Sequence, residues 1–587
     1  MIAVIVNIII SSSIAVWSYL AYARPAGAGS DPFLLFLPLL GLLSAVGYAA
    51  LANAMKMNRQ ETVILFKKLC WGLGSFDLLF LTPFFVRVHL PSPHDFMLRK
   101  IELGFGFAYI SCLAFQNYIF FRIVLIKGLF FRLDVKKTKT ILWVVGLLAY
   151  SLIGTWMGHC NEPTGDEPHY LLMAHSLAFD GDFDLKNNFE NKDYLNFYSR
   201  ELVPQTPIQG PNHYSYHSMG YPILIAIPYR LLGLPGVRLY AYAVSSLFAL
   251  NLFLLVQGLF HKREVSLWVW LLCLLGPPLV LFSNHAATET SSGVVATWLF
   301  RMIVSPGGPA LGWLFGAGLG LLCWLHEANL FLAGVLFLVF WLTAQPRREI
   351  LKTALVWVAL VTPLFWLNLT HFGFIVPTHN LGLFMVGNQS LYVVSGADKI
   401  LSFLSNFPRA ILGLFFDQEF GLLIYAPIYV LTGLGLLLLK KTELRSFRKT
   451  GFILLAELLF FGAIGEWRGG GGSAPRFLVP LHFLFAVCLG RVLAGPSAKP
   501  LSRLVVLLSG WGFVFSFLLV WIPWMRWNKG LGSNWVFTIA ERAVRAPLYR
   551  FFPSLWAGGD WGLVLALFWL GLAGLLTWRY FPRGAQT

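Results

Sequence analysis
The chain is short of charge. Of its 587 residues only 12% are Asp, Glu, Lys or Arg, while 57% are hydrophobic. That charged share is about half of what a soluble domain carries. Also missing is the apolar–polar alternation over about ten residues that a membrane barrel strand needs, so a β-barrel is excluded. No disulfide framework or zinc spacing exists. Of the six cysteines, Cys70, Cys112, Cys273, Cys323 and Cys488 lie in apolar runs, and Cys160 alone falls in a clear loop. The glycine run Gly469–Gly472 is not followed by Gly-Lys-Ser/Thr, so it is no nucleotide-binding P-loop. There is no internal repeat and no stretch resembling a soluble domain.

What is present in quantity is apolar sequence. The mean hydropathy is +0.68, and apolar runs of roughly 18–25 residues recur, long enough to cross a hydrocarbon core of about 30 Å. The expected fold class is an all-α polytopic membrane protein. The net charge of +17 would suggest nucleic acid in a soluble protein. Here the Lys and Arg residues sit in short loops (Lys67-Lys68, Lys136-Lys137, Lys262-Arg263, Arg347-Arg348, Lys440-Lys441), as the positive-inside rule expects of cytoplasmic loops. Membrane lipid is therefore the partner, and nucleic acid is not.

Ile2–Tyr22 lacks a basic leader and reads as a retained first span, although Ala21-Tyr-Ala23 imitates a cleavage site. Further runs at about 33–54, 69–90 and 101–131 complete an amino-terminal module, residues 1–135. Asp77 and Arg122 inside it read as an ion pair or buried polar contact between helices. A core follows over 136–495, with outer loops at 159–220 and 375–418. A carboxy-terminal part, 496–587, carries an outer loop at 526–559. The basic loops predict about sixteen spans with both termini inside. They also put residues 159–220 on the extracytoplasmic face of the cytoplasmic membrane. That loop holds nine acids and three bases, and a loop of this length is usually functional or has helices of its own. Tyr170, Ala174 and Leu177 recur at helical spacing, which predicts an interfacial helix over about 167–179. Tyr221–Leu232 is too short to span and belongs to the interface as well.

Asp166 opens the predicted helix, with Pro168 in the first turn. It fits a helix N-cap and equally a general base on a rigid mount, kept ionised by the helix N-terminus. Glu289, in Asn284–Thr290 beside His285, reads either as a solvated loop residue or cap or as a second acid. His326 and Glu327 form a tight turn that could also face a substrate. A leaving phosphate needs a cation, and cations are scarce on the outer face. Arg468 and Arg476, flanking the glycine run, are the candidates. Their alternative is a flexible loop with a snorkelling Arg. His159, His169, His175, His213 and His217 match no compact zinc motif and read as interfacial hydrogen-bonding residues, with His217 nearest a cavity. Asp180, Asp182 and Asp184 lack a calcium-loop pattern, and Gly181 predicts a turn ending the helix.

Together these stretches resemble the GT-C class of membrane glycosyltransferases, which includes the protein O-mannosyltransferases and the aminoarabinose transferases of lipid A. Asp166-Glu167 directly after a span looks like the opening of that class's first outer loop. Tyr216-His-Ser-Met-Gly-Tyr-Pro222, leading to Pro228-Tyr-Arg-Leu-Leu-Gly233, is similar to its HPPGYP…LFG stretch, with Ser-Met in place of the Pro pair. Phe420-Gly-Leu-Leu-Ile-Tyr-Ala-Pro427 looks like GLLxYxP. Gly469–Pro480 resembles GG…GPRYLxPxxP, with Ala474 where Gly is common. The likeness covers roughly 141–495 and leaves the first 135 residues unexplained.

The resemblance implies a GT-C-like helical bundle with short interfacial helices in the large first outer loop. It implies a polyprenyl-phosphate or -diphosphate sugar donor and a lipid, glycan or protein acceptor. The reaction would be an inverting single displacement by a hexosyl- or pentosyltransferase. By that match Asp166 is the base, Glu167 an orienting partner and Glu289 the second acid. His217, Tyr216, Tyr221, Arg468, Arg476, His326 and Glu327 would bind substrate. Class members differ in metal need, so a divalent cation (Mg or Mn) is the one cofactor in question. The competing classes are a transporter or flippase of lipid-linked glycans, for which Glu457 is the clearest midplane charge, and an accessory subunit.

Overall fold
The structure, a computed structural model, describes residues 135–581 apart from 205–211, 306–309, 344–345, 373–395, 466, 470–471, 496–498, 529, 531, 545–546 and 558. The four spans expected before residue 135, Asp77 and Arg122 all lie outside the described residues. The chain divides into two compact units, Met1–Trp156 and Met157–Thr587. What is described of the first is the start of the helix Val135–Cys160. The second takes in residues 496–587 together with the core.

Among the described residues the secondary structure is helical, with one isolated bridge between Ser473 and Trp527. Five helices are long and apolar enough to cross a membrane: Thr138–Gly158, Leu234–Phe260, Arg347–Phe372, Pro500–Trp521 and Gly559–Tyr580. The protein is an all-α integral membrane protein. Leu234–Phe260 is the enclosed one, with 67% of its apolar window buried, against 17% for Arg347–Phe372 and 11% for Gly559–Tyr580. Apolar side chains left uncovered on those two helices mark the faces that meet lipid.

Other expected spans are realised as shorter pieces. The run at 266–283 is Arg263–Leu275 followed by Leu279–Phe282, broken at Gly276-Pro277-Pro278. The run at 419–440 begins as Leu422–Tyr425, passes through the 3-10 turn Pro427–Leu431 and ends as Thr432–Thr442. Proline removes the N–H that a continuing helix needs, and hydropathy averages across the break. Conversely, part of the expected outer segment 375–418 is a helix, Gly396–Phe416. Leu401, Leu404, Phe407, Ile411 and Leu414 recur there at three- and four-residue spacing.

Close packing follows from small residues. Gly312, Gly316 and Gly320 lie four apart on Leu311–Leu325. A Cβ on Gly316 would stand 2.6 Å from the Thr353 carbonyl, and one on Gly320 2.7 Å from the Leu360 side chain. This small-xxx-small stripe lets Arg347–Phe372 lie backbone against backbone. Gly220 likewise lies against the Trp324 backbone, which seats the short helix Gly220–Leu232 on Leu311–Leu325.

Candidate active site
The acidic helix forms as the sequence predicts, over Glu167–Phe179. Gly165 has φ +64° and turns the chain into it, a conformation that favours glycine. Gly181, at φ +82°, ends it, and its N–H and that of Asp180 both reach the Ser176 carbonyl. Asp182 and Asp184 then make local turn bonds: Ser176 Oγ and the Asp184 N–H donate to Asp182 Oδ1, and the Lys186 and His213 N–H groups donate to Asp184 Oδ1.

Asp166 stands at the N-cap position, yet its side chain makes no cap bond. The capping reading is not realised, and Glu167 Oε2 instead accepts the N–H of Thr164, which precedes the helix, at 3.0 Å. Asp166 faces Arg476, whose Nη2 donates to Asp166 Oδ2 at 2.6 Å. Arg476 Nε donates to Glu289 Oε1, and Nη1 makes a long bond to the Gly469 carbonyl at 3.4 Å. One guanidinium therefore bridges two carboxylates 123 positions apart in the chain, Asp166 and Glu289. Planarity and a forked donor set make arginine suited to this and lysine not. Gly469, at φ +65°, curls the chain so that Arg476 is packed against it.

The Glu167 side chain takes no part in the Arg476 bridge. It is buried, and its other oxygen, Oε1, accepts the Ala286 N–H at 2.6 Å. It thus pins the turn that leads into Thr288–Val304, the helix carrying Glu289. Both Glu167 oxygens accept backbone amides, an arrangement suited to the orienting part expected of it. Burial pushes its carboxyl above the usual range, opposed first by the charge of Arg526. Arg526 is itself buried, stacks 4.3 Å over Trp527 and donates to the Leu281 carbonyl. Burial pulls its guanidinium down to about 10 against the attraction of Glu167.

His217 lies among Tyr170 (ring centroids 4.9 Å), Tyr216 (4.6 Å) and His169 (5.7 Å). Burial holds it down to about 3, opposed first by Asp166, and holds His169 down to about 4. Both are neutral near pH 7. His326 Nδ1 accepts the Ala328 N–H at 3.1 Å, as a tight turn requires, and its ring lies close enough to act electrostatically on Asp166 and His217. Glu327 lines a small apolar cleft with Leu330, Leu364 and Phe365. Arg468 stacks over the Trp556 indole at 4.1 Å. His285 Nε2 meets Ser473 Oγ at 3.1 Å, and its ring lies against Trp527.

Asp166, Glu289, Arg476, His217, Tyr216, Tyr221 and His326 are thus gathered around one place, while Glu167 and His285 brace it. Sequence reasoning missed Tyr170 and Arg526. Tyr170 follows Asp166 by one helical turn and so shares its face, a usable signal; Arg526 has none. Burial acts to raise the Asp166 carboxyl, but Arg476, then His217, outweigh it and hold the carboxyl well below its usual value. Asp166 is thus ionised, 26% exposed and held by Arg476, at the cost of a weaker basicity. Among the described residues, no three His, Cys, Asp or Glu side chains gather closely enough to hold a metal ion.

No protein-family profile and no curated protein matches the chain. Two solved structures resemble it. ArnT from Cupriavidus metallidurans bound to undecaprenyl phosphate is 13% identical, over 75% of this chain and 77% of that one, with a TM-score of 0.43. ArnT from the same organism in the apo state is 12% identical, over 66% and 76%, with a TM-score of 0.39.

Proposed function
We propose that the protein is a GT-C-type glycosyltransferase, moving a sugar from a polyprenyl-phosphate or -diphosphate donor to an acceptor hydroxyl on the extracytoplasmic side. The observation that carries this reading is the Asp166–Arg476–Glu289 cluster, formed from the same stretches that resemble the class. In the proposed step the acceptor oxygen attacks the anomeric carbon as the carbon–oxygen bond to phosphate breaks. The acceptor proton goes to Asp166 and the polyprenyl phosphate departs as an anion. Arg476 keeps Asp166 ionised through Oδ2, and among the described residues no donor is bonded to Oδ1. The second N–H on each of Nη1 and Nη2, left over from these bonds, meets the developing phosphate charge. Glu289 braces Arg476 and is not itself the base.

A transporter of lipid-linked glycans is the second reading. It is favoured by the breaks at Gly276–Pro278 and Ala426–Pro427 and by buried Glu457, whose Oε1 has no hydrogen-bond partner. Purified protein in proteoliposomes, given undecaprenyl-phosphate sugar, separates the two. The transferase reading predicts release of undecaprenyl phosphate with the sugar recovered on an acceptor. Passage of intact donor across the bilayer without cleavage would establish the transporter, and turnover of a nucleotide sugar would exclude the lipid-linked donor.

A further inference from the structure
Three buried polar atoms in this cluster have no partner among the described residues: the Tyr170 hydroxyl, the Tyr221 hydroxyl and Glu289 Oε2. Their side chains belong to residues 0%, 1% and 6% exposed. Buried polar groups are nearly always hydrogen-bonded, and each exception asks for an explanation. These three arise on three elements, the helices Glu167–Phe179, Gly220–Leu232 and Thr288–Val304, yet converge. The Tyr170 and Tyr221 rings meet edge to face at 5.5 Å. The Glu289 carboxylate acts on both phenols, and the Tyr170 phenol also feels Asp166 and Arg476. Phenylalanine would fill either tyrosine position equally well, so the hydroxyls contribute nothing to packing.

We infer that Tyr170, Tyr221 and Glu289 Oε2 form the subsite that reads the hydroxyl groups of the transferred sugar beside the Asp166–Arg476 pair. The inference rests on the transferase reading above. A phenol can donate or accept, whereas an ionised carboxylate only accepts. The ligand must therefore present at least one O–H toward Glu289 and further oxygens toward the tyrosines, as a polyhydroxylated pyranose or furanose does. A site built to bond a substrate hydroxyl discriminates sharply against an analogue lacking it, because its own buried groups are then left unpaired.

The test uses Tyr170→Phe and Tyr221→Phe, which keep ring volume. With an undecaprenyl-phosphate sugar donor, each is expected to lower kcat/KM for transfer by about 10- to 100-fold. Binding of sugar-free undecaprenyl phosphate should be unchanged. In the absence of donor each variant should melt higher than wild type, because an unpaired buried hydroxyl is gone. A merely structural tyrosine would shift the melting midpoint down and leave transfer intact. Wild-type transfer by both Phe variants would overturn the subsite alone. A wild-type protein that cleaves no lipid-linked sugar would overturn the transferase reading and the subsite with it.

Discussion

Arg476→Gln separates the electrostatic part of the account from simple loss of a ligand. In the wild type, burial alone would raise the Asp166 carboxyl; Arg476 is the largest influence opposing it. An opposite charge at this range is worth about 1–3 pKa units, each unit about 1.4 kcal/mol. Removing it lets burial prevail, with unpaired Glu289 adding like-charge repulsion. Asp166 and Glu289 would then titrate as a pair. The acid limb of transfer against pH should move up by about 1–3 units. Stability should follow the same sign. A depressed carboxyl contributes stability that is present above its unfolded value of 3.8 and lost as pH falls through its lower folded value. In the variant that contribution is absent, and breaking the pair costs about 3–5 kcal/mol if fully buried, less here because Asp166 is 26% exposed. With the carboxyl returned toward its unfolded value, the variant loses less stability than wild type as pH falls below about 4, and the difference between them is constant above that. The assays are transfer rate and melting midpoint from pH 2 to 9. Superimposable acid limbs, with a stability difference independent of pH, would refute the reasoning.

Three other perturbations test the supporting structure. Glu167→Gln turns an NH2 toward one of the two backbone amides now bonded to it, costing about 1–3 kcal/mol. Turnover should fall more than binding of undecaprenyl phosphate, and equal losses would mean Glu167 touches the lipid phosphate. Glu419 accepts the N–H groups of Gly530 and Gly532, both at 2.7 Å. Glu419→Gln should expose the 526–556 segment to limited proteolysis about tenfold faster, and an unchanged cleavage rate would deny this latch. Gly316→Val places methyl groups where the Thr353 carbonyl lies. It should destabilise the pair Leu311–Leu325 and Arg347–Phe372 by about 1–3 kcal/mol, seen as a lower melting midpoint in detergent.

Local chemistry was legible in the sequence where local rules govern. Asp-Glu-Pro opened a helix and Asp-Gly closed it, as the observed Glu167–Phe179 helix and the left-handed Gly181 show. The membrane class followed from composition. The number of full-length spans did not, because a hydropathy window cannot see Pro277-Pro278 or Pro427 end a helix inside an apolar run. Asp417, Gln418 and Glu419 stand where the expected outer segment 375–418 meets the following span, and they are buried in a polar turn. There Asp417 takes the N–H groups of Glu419, Phe420 and Leu555, and burial raises its carboxyl to about 6. The site was half legible. Asp166, Glu289 and Arg476 were each found, but their sharing of one guanidinium is a long-range fact with no local trace. That Glu167 turns away from the helix start to take the Ala286 N–H, 119 positions away, likewise has no local trace.

The central claim is that Asp166 accepts the acceptor's proton in sugar transfer from a polyprenyl-phosphate donor. Its most direct measurement is the transfer rate of purified wild type and Asp166→Asn, with the same lipid-linked sugar and acceptor and with binding of undecaprenyl phosphate measured alongside. The account predicts a loss of about 10²- to 10⁴-fold in transfer with lipid binding retained. Equal transfer by the two proteins would contradict it.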